Sequence, residues 1–336
     1  TSLSIMKNTK NVLITGGLGF VGVHAIEKWN SEKWNIYVID NMSSNAIHPQ
    51  DINNLDNVKV YDSSILSLER SKFNNLDLIV HLASPVGPVG VLRHSGKIGS
   101  MILNDLEWCV EVAKKNRCPL IFISTSEIYG YRSTKTYLKE EDDKVLHGEF
   151  TVRNEYSAGK ILAEIMLTNI GRVDKDFKYQ IIRPFNVTGR YQLPEGGFVL
   201  PRFAIQALKE EDISVYLDGE QKRAFTWVKD IVNGIYLTSI ADKDDWNEIW
   251  NIGNEQNEKS IKYMAEKIKD LTNSKSNIVF TDPKALHGDL FAEAPEKIPN
   301  SEKIKSRLGW SPTKNADEVI SEVVDFYKQD DLYKKF

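Results

Sequence analysis

Cysteine is scarce in this chain, and its apolar runs are short. Only Cys109 and Cys118 occur among 336 residues, too few for a disulfide framework, which favours a reducing, cytoplasmic environment. No apolar run approaches the ~18 residues that a membrane-spanning helix needs, and the first residues lack the apolar core of a secretory signal. We therefore expect a soluble protein with no membrane partner, preceded by a leader-like or tag-like segment over residues 1–9.

An excess of charge of one sign is also lacking. Lys and Arg number 43 and Asp and Glu number 47, which gives a net charge of −4. Charges of both signs are scattered along the chain, which argues against nucleic acid as a partner. The six histidines show no metal-ligand spacing, so no metal site is expected.

The stretch that most constrains the fold is residues 11–22. Val-Leu-Ile at 12–14 predicts a buried parallel strand, and Gly16, Gly19 and Gly22 follow at the spacing G-x-x-G-x-x-G, just before an amphipathic segment. Such glycines allow a tight turn, close approach of a pyrophosphate and close helix packing, while free N–H groups at the helix start bind the anion. Taken alone, the three glycines also fit ordinary turn chemistry.

The second strand favours the dinucleotide interpretation. Residues 36–39 are apolar and lead into Asp40, 18 residues after Gly22. An acid there suits the adenosine ribose hydroxyls and would repel a 2′-phosphate. No arginine follows within residues 41–45, so the sequence predicts NAD rather than NADP. Asp62, after the strand at 58–61, is either a second acid that contacts the adenine or only a strand-end turn residue.

Strand and helix signals then alternate. Strands are predicted over 76–82 and 119–124, with a helix over 103–115 between them. This order gives a doubly wound parallel sheet, whose ligands lie at the carboxyl ends of the strands. Residues 83–90 hold too many prolines and glycines for a regular element, and we interpret them either as a substrate-contacting loop or as a mobile surface loop.

Reactive side chains follow at the same strand ends. Thr125, Ser126 and Glu127 come directly after the strand at 119–124, and Tyr156 and Lys160 begin a later helix. A Tyr and a Lys four residues apart share one helix face, where the ammonium can lower the pKa of the phenol. The pair alone occurs by chance in many helices. After a dinucleotide loop and a Thr-Ser-Glu strand end, it predicts a catalytic site.

Several stretches together resemble one enzyme family. They are TGGLGFVG at 15–22, HLA at 81–83, STSEIYG at 124–130, YSAGK at 156–160, RPFNV at 183–187 and LGWSP at 308–312. Over residues 10–330 the chain is similar to the extended short-chain dehydrogenases/reductases that act as nucleotide-sugar epimerases, dehydratases and decarboxylases. Within that group it most resembles the UDP-glucuronate decarboxylases, through residues 81–85, Arg153 and the stretch 206–234.

The resemblance implies an architecture. It implies an α/β, Rossmann-type doubly wound parallel sheet with a smaller C-terminal α/β substrate-binding lobe. Residues 10–186 are expected to bind NAD, and residues 187–336 mainly the nucleotide sugar, with some segments returning to the first domain. A homodimer is expected, built on the helices that begin near Leu103 and Tyr156.

The resemblance also implies site residues. Thr125, Ser126, Glu127, Tyr156 and Lys160 are expected to be catalytic. NAD contacts are expected from Gly16, Gly19, Phe20, Val21, Gly22, Asp40, Asn41, Asp62, Leu82, Ala83, Tyr156, Lys160 and Pro184. A nucleotide-diphosphate sugar, with UDP favoured, is expected at Ser84, Arg153, Asn186, Arg202, Tyr216 and Arg223. Two of these residues have plainer alternatives, Arg223 as a surface ion pair and Tyr216 as an ordinary strand residue.

The chemistry implied by the family starts at the sugar 4-hydroxyl. Tyr156 would remove its proton, with Thr125 bonded to the same hydroxyl, while hydride passes to NAD. The 4-keto sugar could then lose carbon dioxide from a carbon-5 carboxylate, for which Glu127 and Arg223 match the decarboxylases. Return of hydride to the other face would instead give a 4-epimer, and 4-dehydrogenation or 4,6-dehydration ranks after it. Dehydration is disfavoured because Ser126 replaces the acid of dehydratases. A non-catalytic NAD-binding scaffold is disfavoured, since the catalytic set is complete.

Two stretches depart from the family pattern. Relatives usually place an Asn near the nicotinamide where this chain has Ile102, with Asn104 two residues on. Residues 296–300 read Glu-Lys-Ile-Pro-Asn, whereas relatives often have Arg-Lys-Pro-Asp, so an arginine that could hold the diphosphate is missing. These departures leave the nucleotide and the sugar open.

Overall fold

The structure is a computed structural model that describes residues 9–132 and 137–336. The leader predicted over residues 1–9 lies outside the described residues except for residue 9. The strands of the described part are β1 Asn11–Thr15, β2 Asn35–Asp40, β3 Val58–Asp62, β4 Leu78–His81, β5 Leu120–Ile123, β6 Tyr137–Leu138, β7 Tyr179–Pro184, β8 Val187–Thr188, β9 Ile213–Tyr216, β10 Lys222–Ala224, β11 Thr226–Trp227, β12 Glu248–Ile252, β13 Glu258–Ser260, β14 Ile278–Thr281 and β15 Ile298–Pro299. The helices are α1 Phe20–Ser31, α2 Gly87–Arg93, α3 Ile98–Asn116, α4 Val152–Val173, α5 Val199–Leu208, α6 Val228–Ser239, α7 Ile261–Thr272, α8 Pro283–His287, α9 Glu302–Leu308 and α10 Ala316–Lys328.

A seven-stranded parallel sheet positions the site. Its strand order is β12-β7-β5-β4-β1-β2-β3, and every neighbouring pair is parallel. The chain winds outward in one direction from β1 to β3 and in the other from β4 to β12. The order therefore reverses between β1 and β4, and their carboxyl ends open the crevice where ligands of such sheets bind. The predicted doubly wound α/β fold is confirmed.

Alternating side chains of the strands build a core on each face of the sheet. Leu13 and Ile79 pack with the residues of α3 and α4 on one face. Val12 and Val80 pack with α1 and α6 on the other. Both faces are covered, which is why these strands read as continuous apolar runs.

A third core belongs to the C-terminal part of the chain. It joins α5, β9, α7 and α10 through side chains such as Phe203, Val215, Met264 and Val323. This smaller layer lies beside the main sheet, while β12, from the same half of the chain, pairs with β7 inside the main sheet.

The prediction for residues 83–90 is wrong from Gly87 onward. α2 begins at Gly87, with Pro88 in its first turn, where a missing N–H costs nothing and the fixed φ of proline suits a helix. Gly87 itself has φ +77°, and a Cβ there would lie 2.4 Å from the carbonyl oxygen of Gly196. Two features that predict a loop therefore start a helix here.

α3 and α4 pack closely beside the site. A Cβ on Gly159 of α4 would lie 3.2 Å from Ile102 Cδ1 and 3.3 Å from Gly99 Cα of α3. The carboxylate of Glu155 accepts hydrogen bonds from the backbone N–H groups of Gly96 and Gly99. These contacts hold the start of α4, which carries Tyr156 and Lys160, against α3.

Candidate active site

The glycine loop lies between the carboxyl end of β1 and the start of α1. Gly16 has φ +67°, and a Cβ there would lie 2.9 Å from Ala83 Cα. A Cβ on Gly22 would lie 2.3 Å from the carbonyl oxygen of Gly16, so the helix packs directly on the loop. Gly19 caps α1 without a side-chain hydrogen bond, and the first turn holds no acid. The first N–H groups of α1 therefore have no competing protein anion, as a phosphate site requires.

Asp40 ties this loop to the end of β2. Its Oδ2 accepts a hydrogen bond of 3.0 Å from Leu18 N, and its Oδ1 accepts one of 2.9 Å from Met42 N. Burial raises the pKa of Asp40, and the nearby charge of Asp62 raises it further, against the two backbone N–H groups. Asp62 is the register partner of Asp40 on β3. Each carboxylate oxygen of Asp40 keeps a free lone pair for a ribose hydroxyl.

These features fit NAD. The remaining predicted cofactor residues follow the glycine loop or the ends of strands. Phe20 and Val21 lie in the first turn of α1, Leu82 and Ala83 follow β4, Pro184 ends β7, and Asn41 is exposed after β2. Ala83 N donates to Thr15 Oγ1 at 3.2 Å, which fixes the chain as it leaves β4. No arginine or lysine lies in residues 41–45, so the ribose end of the crevice is acidic.

The structure brings Thr125, Tyr156 and Lys160 together. Thr125 Oγ1 accepts a 3.1 Å hydrogen bond from Glu127 N and caps the short turn Ser126–Tyr129. Burial raises the pKa of Tyr156, Glu127 raises it further, and the hydrogen bond with Thr125 opposes this. Lys160 Nζ lies 5.8 Å from the centroid of the Tyr156 ring. In the protein alone, burial therefore has the largest effect on the pKa of the Tyr156 phenol.

Lys160 is itself buried, at 4% exposure. Its Nζ donates a 2.8 Å hydrogen bond to the carbonyl oxygen of Ile123, at the end of β5. Burial lowers the pKa of Lys160 to about 7, while Glu164 and Asp105 act to raise it. This lysine therefore titrates near neutral pH.

Glu127 belongs to a buried cluster of charges beside Tyr156. Its carboxylate forms an ion pair with Arg153 Nη2, and the two side chains are 15% and 8% exposed. Burial raises the pKa of Glu127, but Arg153, Lys297 and Arg223 outweigh it and hold the pKa below its ordinary value. Ser126, the remaining predicted catalytic residue, is buried at 3% exposure in the adjoining turn.

The segment 292–297 completes the cluster from a distant part of the chain. Arg223 Nη2 donates to Ala294 O at 2.8 Å and to Glu293 Oε1 at 3.3 Å, while Arg153 Nη1 donates to Ala292 O at 3.3 Å. Arg223 is 5% exposed, so its interpretation as a surface ion pair is wrong.

Lys297 was not anticipated as a site residue. It is 4% exposed, and burial lowers its pKa to about 8, while Glu127 acts to raise it. It lies in the stretch 296–300 where relatives often carry an arginine. Lys297 therefore supplies a cation in the stretch where the family arginine is missing. A lysine at this position is the signal in the sequence that could have identified it.

Arg202 and Tyr216 meet in the smaller layer. The Arg202 guanidinium lies 4.0 Å from the centroid of the Tyr216 ring, and its Nη2 donates to Ser214 O at 3.0 Å. The Tyr216 hydroxyl is hydrogen-bonded to His287 Nε2 at 2.8 Å, and the His287 ring stacks on Phe291. Tyr216 is therefore more than an ordinary strand residue. Its aromatic partners, His287 and Phe291, could not be predicted from the sequence.

Two predicted substrate residues lie nearer the crevice. Asn186 adopts a left-handed φ of +43°, and its buried Nδ2 has no hydrogen-bond partner among the described residues. A buried amide donor left unpaired costs free energy unless a ligand accepts from it. Ser84 follows β4 and donates to Pro85 O at 3.3 Å.

At the position in α3 where relatives usually carry an asparagine, this chain has Ile102, so that position provides no amide beside Lys160. Ile102 is buried at 4% exposure and packs at Gly159, whereas Asn104 is exposed. Asn104 therefore does not replace the family asparagine.

Neither a metal cluster nor a membrane span appears in the described ranges. Residues 9–132 and 137–336 contain no group of three His, Cys, Asp or Glu side chains placed to hold a metal ion. None of the helices in those ranges is both long and apolar enough to cross a bilayer.

Comparison with known proteins gives a consistent picture. The model of the "NAD dependent epimerase/dehydratase family" matches residues 12–253. The UDP-N-acetyl-alpha-D-glucosaminuronate decarboxylase of Bacillus cytotoxicus is 30% identical over 325 residues, which cover 95% of this chain and 98% of that protein. UDP-glucuronic acid decarboxylase 1 of Danio rerio is 29% identical over 96% of this chain and 74% of its own length. The crystal structure of UDP-glucose 4-epimerase from Thermotoga maritima superposes with a TM-score of 0.81 at 24% identity, covering 95% of this chain and 99% of that one.

The fold and the site define an NAD-dependent enzyme of the Rossmann type. The chain belongs to the NAD dependent epimerase/dehydratase family, whose model matches more than half of it. The predicted family, fold class and cofactor are thereby confirmed, whereas the roles of individual site residues stay predictions.

Proposed function

We propose that this protein decarboxylates a UDP-linked uronic acid through a 4-keto intermediate. The observation that carries the proposal is the buried charge cluster next to Tyr156. Arg153, Arg223 and Lys297 face the carboxylates of Glu127 and Glu293. Glu296 also acts on Arg223 but is exposed, so the five less exposed groups keep one net positive charge. A carboxylate on carbon 5 of the sugar would balance that charge, and burial would strengthen the attraction.

The proposed NAD site follows the glycine loop and Asp40. The loop N–H groups and the start of α1 would hold the pyrophosphate, and Asp40 the adenosine ribose. When bound there, NAD supplies a hydride acceptor for carbon 4 of the sugar and gives the hydride back later.

Proton transfer falls to Tyr156. As phenolate it would accept the proton of the sugar 4-hydroxyl, while Thr125 orients the same hydroxyl. Because burial raises the pKa of Tyr156 in the protein alone, formation of the phenolate depends on positive charge nearby. Arg153, three residues before Tyr156 on α4, acts to lower that pKa, and the Lys160 ammonium lies on the same face four residues after Tyr156.

Loss of carbon dioxide then needs little further chemistry. In the 4-keto uronate, the bond between carbon 5 and the carboxylate breaks, and its electron pair becomes the enolate of the 4-ketone. Carbon 5 takes up a proton, the ketone is reduced by the stored hydride, and Tyr156 returns its proton to oxygen 4. Arg223 would orient the carboxylate, and Glu127 would hold the water or group that delivers the carbon-5 proton.

A direct assay tests this reaction. The purified protein is incubated separately with UDP-glucuronate, UDP-N-acetylglucosaminuronate and UDP-glucose, and products are read by mass spectrometry and proton NMR. We expect loss of the mass of carbon dioxide from a uronate and no change in UDP-glucose. A product of unchanged mass with a new sugar spectrum would replace the proposal with 4-epimerisation. Turnover of none of the three would refute it for UDP-sugars.

We assign the nucleotide sugar mainly to residues 187–336 and NAD to residues 10–186. The contact between Arg202 and Tyr216 in the smaller layer supports this division, and the unpaired amide of Asn186 stands at the boundary between the two ranges. The relatives named for UDP-linked substrates favour UDP. Binding of UDP alone, measured by calorimetry, should weaken in Arg202→Gln and stay unchanged in Lys209→Gln, whose side chain is 25% exposed and pairs with Glu211.

We also propose a homodimer through the outer face of α3 and α4. Leu162 and Ile165 on α4 are 44% and 50% exposed, and adjoin each other at i, i+3 spacing. Two such faces related by a two-fold axis would cover each other. Light scattering should give twice the chain mass of 38.3 kDa, and Ile165→Glu should give the monomer mass. A monomer for the unaltered chain would contradict the proposal.

The proposed location is the cytoplasm. Cys109 and Cys118 are both buried free thiols, and burial raises the pKa of each, which suits a reducing compartment. Fractionation of the source cells, with the protein followed by antibody, tests the assignment.

A further inference from the structure

A carboxylate lies within the inward face of α3. Ile102, Asp105, Leu106 and Cys109 share that face at i, i+3, i+4 and i+7. The other three side chains are buried, at 4%, 0% and 0% exposure, whereas Asp105 is half-buried. Gly159, the neighbour of Lys160 on α4, packs against α3, since a Cβ there would lie 3.2 Å from Ile102 Cδ1. Asp105 follows Ile102 by one turn of α3, so Asp105 and Lys160 face the same helix contact, where the charge of each acts on the pKa of the other. Asp105 forms neither a hydrogen bond nor an ion pair with another described residue.

The other groups that act on Lys160 are Glu164, which raises its pKa, and His81. Glu164 is already paired with Arg183 at 2.6 Å, and its Oε2 accepts a hydrogen bond of 2.6 Å from Ser124. Burial lowers the pKa of His81 to about 3, so this ring is neutral at physiological pH.

The other titratable groups near the pair are also neutral. Burial raises the pKa of both Tyr156 and the Cys109 thiol. Asp105 is therefore the carboxylate near Lys160 that carries no cation of its own.

We propose that Asp105 is a positioning residue that keeps Lys160 in its ammonium form at neutral pH. The proposal rests on the role assigned above to Lys160 beside Tyr156. An anion across the helix contact favours the charged lysine, and the charged lysine in turn favours the phenolate of Tyr156. Asp105 thus acts on the reaction through Lys160 without contacting the sugar.

The charge of Asp105 matters because burial brings the pKa of both Asp105 and Lys160 toward neutral pH. Burial lowers the pKa of Lys160 to about 7, and burial raises the pKa of Asp105 to about 6 against the pull of Lys160. Around pH 7 Asp105 is charged, so its loss would move Lys160 toward the neutral amine. When NAD is bound, its positive nicotinamide would also favour the neutral amine of Lys160. A compensating anion would then be more important.

The test measures Lys160 directly, without sugar or NAD. Lysine labelled with carbon-13 at the ε position is titrated by NMR, and the Lys160 signal is assigned by its loss in Lys160→Met. In Asp105→Asn we expect its midpoint to fall by about one pH unit or more, as expected when a partly buried opposite charge is removed. The control Glu111→Gln removes an acid that is 59% exposed on the same helix and should leave the midpoint unchanged. An equal midpoint in Asp105→Asn and the unaltered protein would overturn the proposal.

Two further readouts separate positioning from a merely structural role. If Asp105→Asn does not fold, the carboxyl carbon of Asp105 is titrated in Lys160→Met, where its midpoint should rise because the neighbouring cation is gone; an unchanged midpoint would refute the coupling. Once a turned-over sugar is found, the high-pH limb of kcat/KM should move to lower pH in Asp105→Asn. Failure of the sugar assay would refute the proposed reaction and leave the NMR outcome standing.

Discussion

Glu127→Gln tests the buried charge cluster most directly. The change keeps the shape of the side chain and removes its charge. Arg153, Arg223 and Lys297, all less than 10% exposed, would then face Glu293, whose side chain is 29% exposed, and the exposed Glu296, which acts on Arg223. A buried cation without its partner is costly, because neither water nor protein replaces the lost anion.

The size of the effect follows from burial. Removing one partner of a buried ion pair costs roughly 3–5 kcal/mol. Because the glutamine oxygen can still accept from Arg153, we expect about 3 kcal/mol of lost unfolding free energy at pH 7, at the lower end of that range. The matched control is Glu293→Gln, which leaves Arg223 its hydrogen bonds to Ala294 O and Lys222 O; there we expect less than about 1 kcal/mol. Urea unfolding followed by circular dichroism measures both.

The pH dependence gives the sharper test. The pKa of Glu127 is lower in the folded protein than its ordinary value, since Arg153, Lys297 and Arg223 outweigh burial. Such a group stabilises the fold fully above its unfolded pKa, near ~4.3, and loses that contribution as the pH falls through its folded pKa. The stability gap between the unaltered protein and Glu127→Gln should therefore be full at pH 7 and close below about pH 4. A gap that is absent at pH 7, or that stays constant into acid, would refute this account of the cluster.

Three further changes test the catalytic pair and the NAD site. Tyr156→Phe should lower kcat by roughly 10²–10⁴-fold while NAD affinity, measured by calorimetry, stays within a few-fold of normal, because only the proton carrier is lost; retained activity would contradict the assigned base. Gly22→Ala should cost about 2 kcal/mol of unfolding free energy and weaken NAD binding, since the new Cβ would lie 2.3 Å from Gly16 O; an unchanged melting temperature would speak against the close packing. Asp40→Asn should weaken NAD binding about tenfold or more, because the loop loses one of the two acceptors that hold Leu18 N and Met42 N; equal affinity would remove Asp40 from the site.

The sheet and the cofactor loop could be predicted because their signals are local. Residues 12–14 and 36–39 are short apolar runs, and the glycine spacing and Asp40 follow them directly. Parallel strand order then brings the strand ends together without any need for long-range information. The Tyr156–Lys160 pair is local as well, since i, i+4 spacing on a helix fixes its geometry.

Local signals gave a wrong prediction where the same residue types, glycine and proline, occur both in loops and at helix starts. Gly87 and Pro88 predict a loop, yet Pro88 stands in the first turn of α2, the part of a helix that tolerates proline. The helix predicted at 103–115 likewise begins five residues earlier, at Ile98. Helix starts are set by tertiary contacts as much as by propensity, and here Glu155 of α4 binds the backbone N–H of Gly99.

The charge of the site could not be predicted from local sequence, because it is assembled across the chain. Glu127 and Arg153 come from the first half, Arg223 from β10, and Glu293 and Lys297 from a segment about 70 residues further on. No periodicity links these positions. The family resemblance points to Glu127, Arg153 and Arg223, but neither it nor the local sequence points to Glu293 or Lys297. Tyr131 donates to the carbonyl oxygen of Glu293 at 2.9 Å, so the segment is held by its backbone as well as by its charges.

We infer that the segment 292–297 influences the charge of the substrate. Without Lys297 the less exposed groups of the cluster, Arg153, Arg223, Glu127 and Glu293, would be neutral in sum, and the exposed Glu296 would add a negative charge near Arg223. With Lys297 these less exposed groups carry one positive charge, which a uronate carboxylate would balance. If Lys297→Met weakened binding of UDP-glucose, measured by calorimetry, as much as that of UDP-glucuronate, the charge argument for decarboxylation would fail, and a purely structural role for Lys297 would remain.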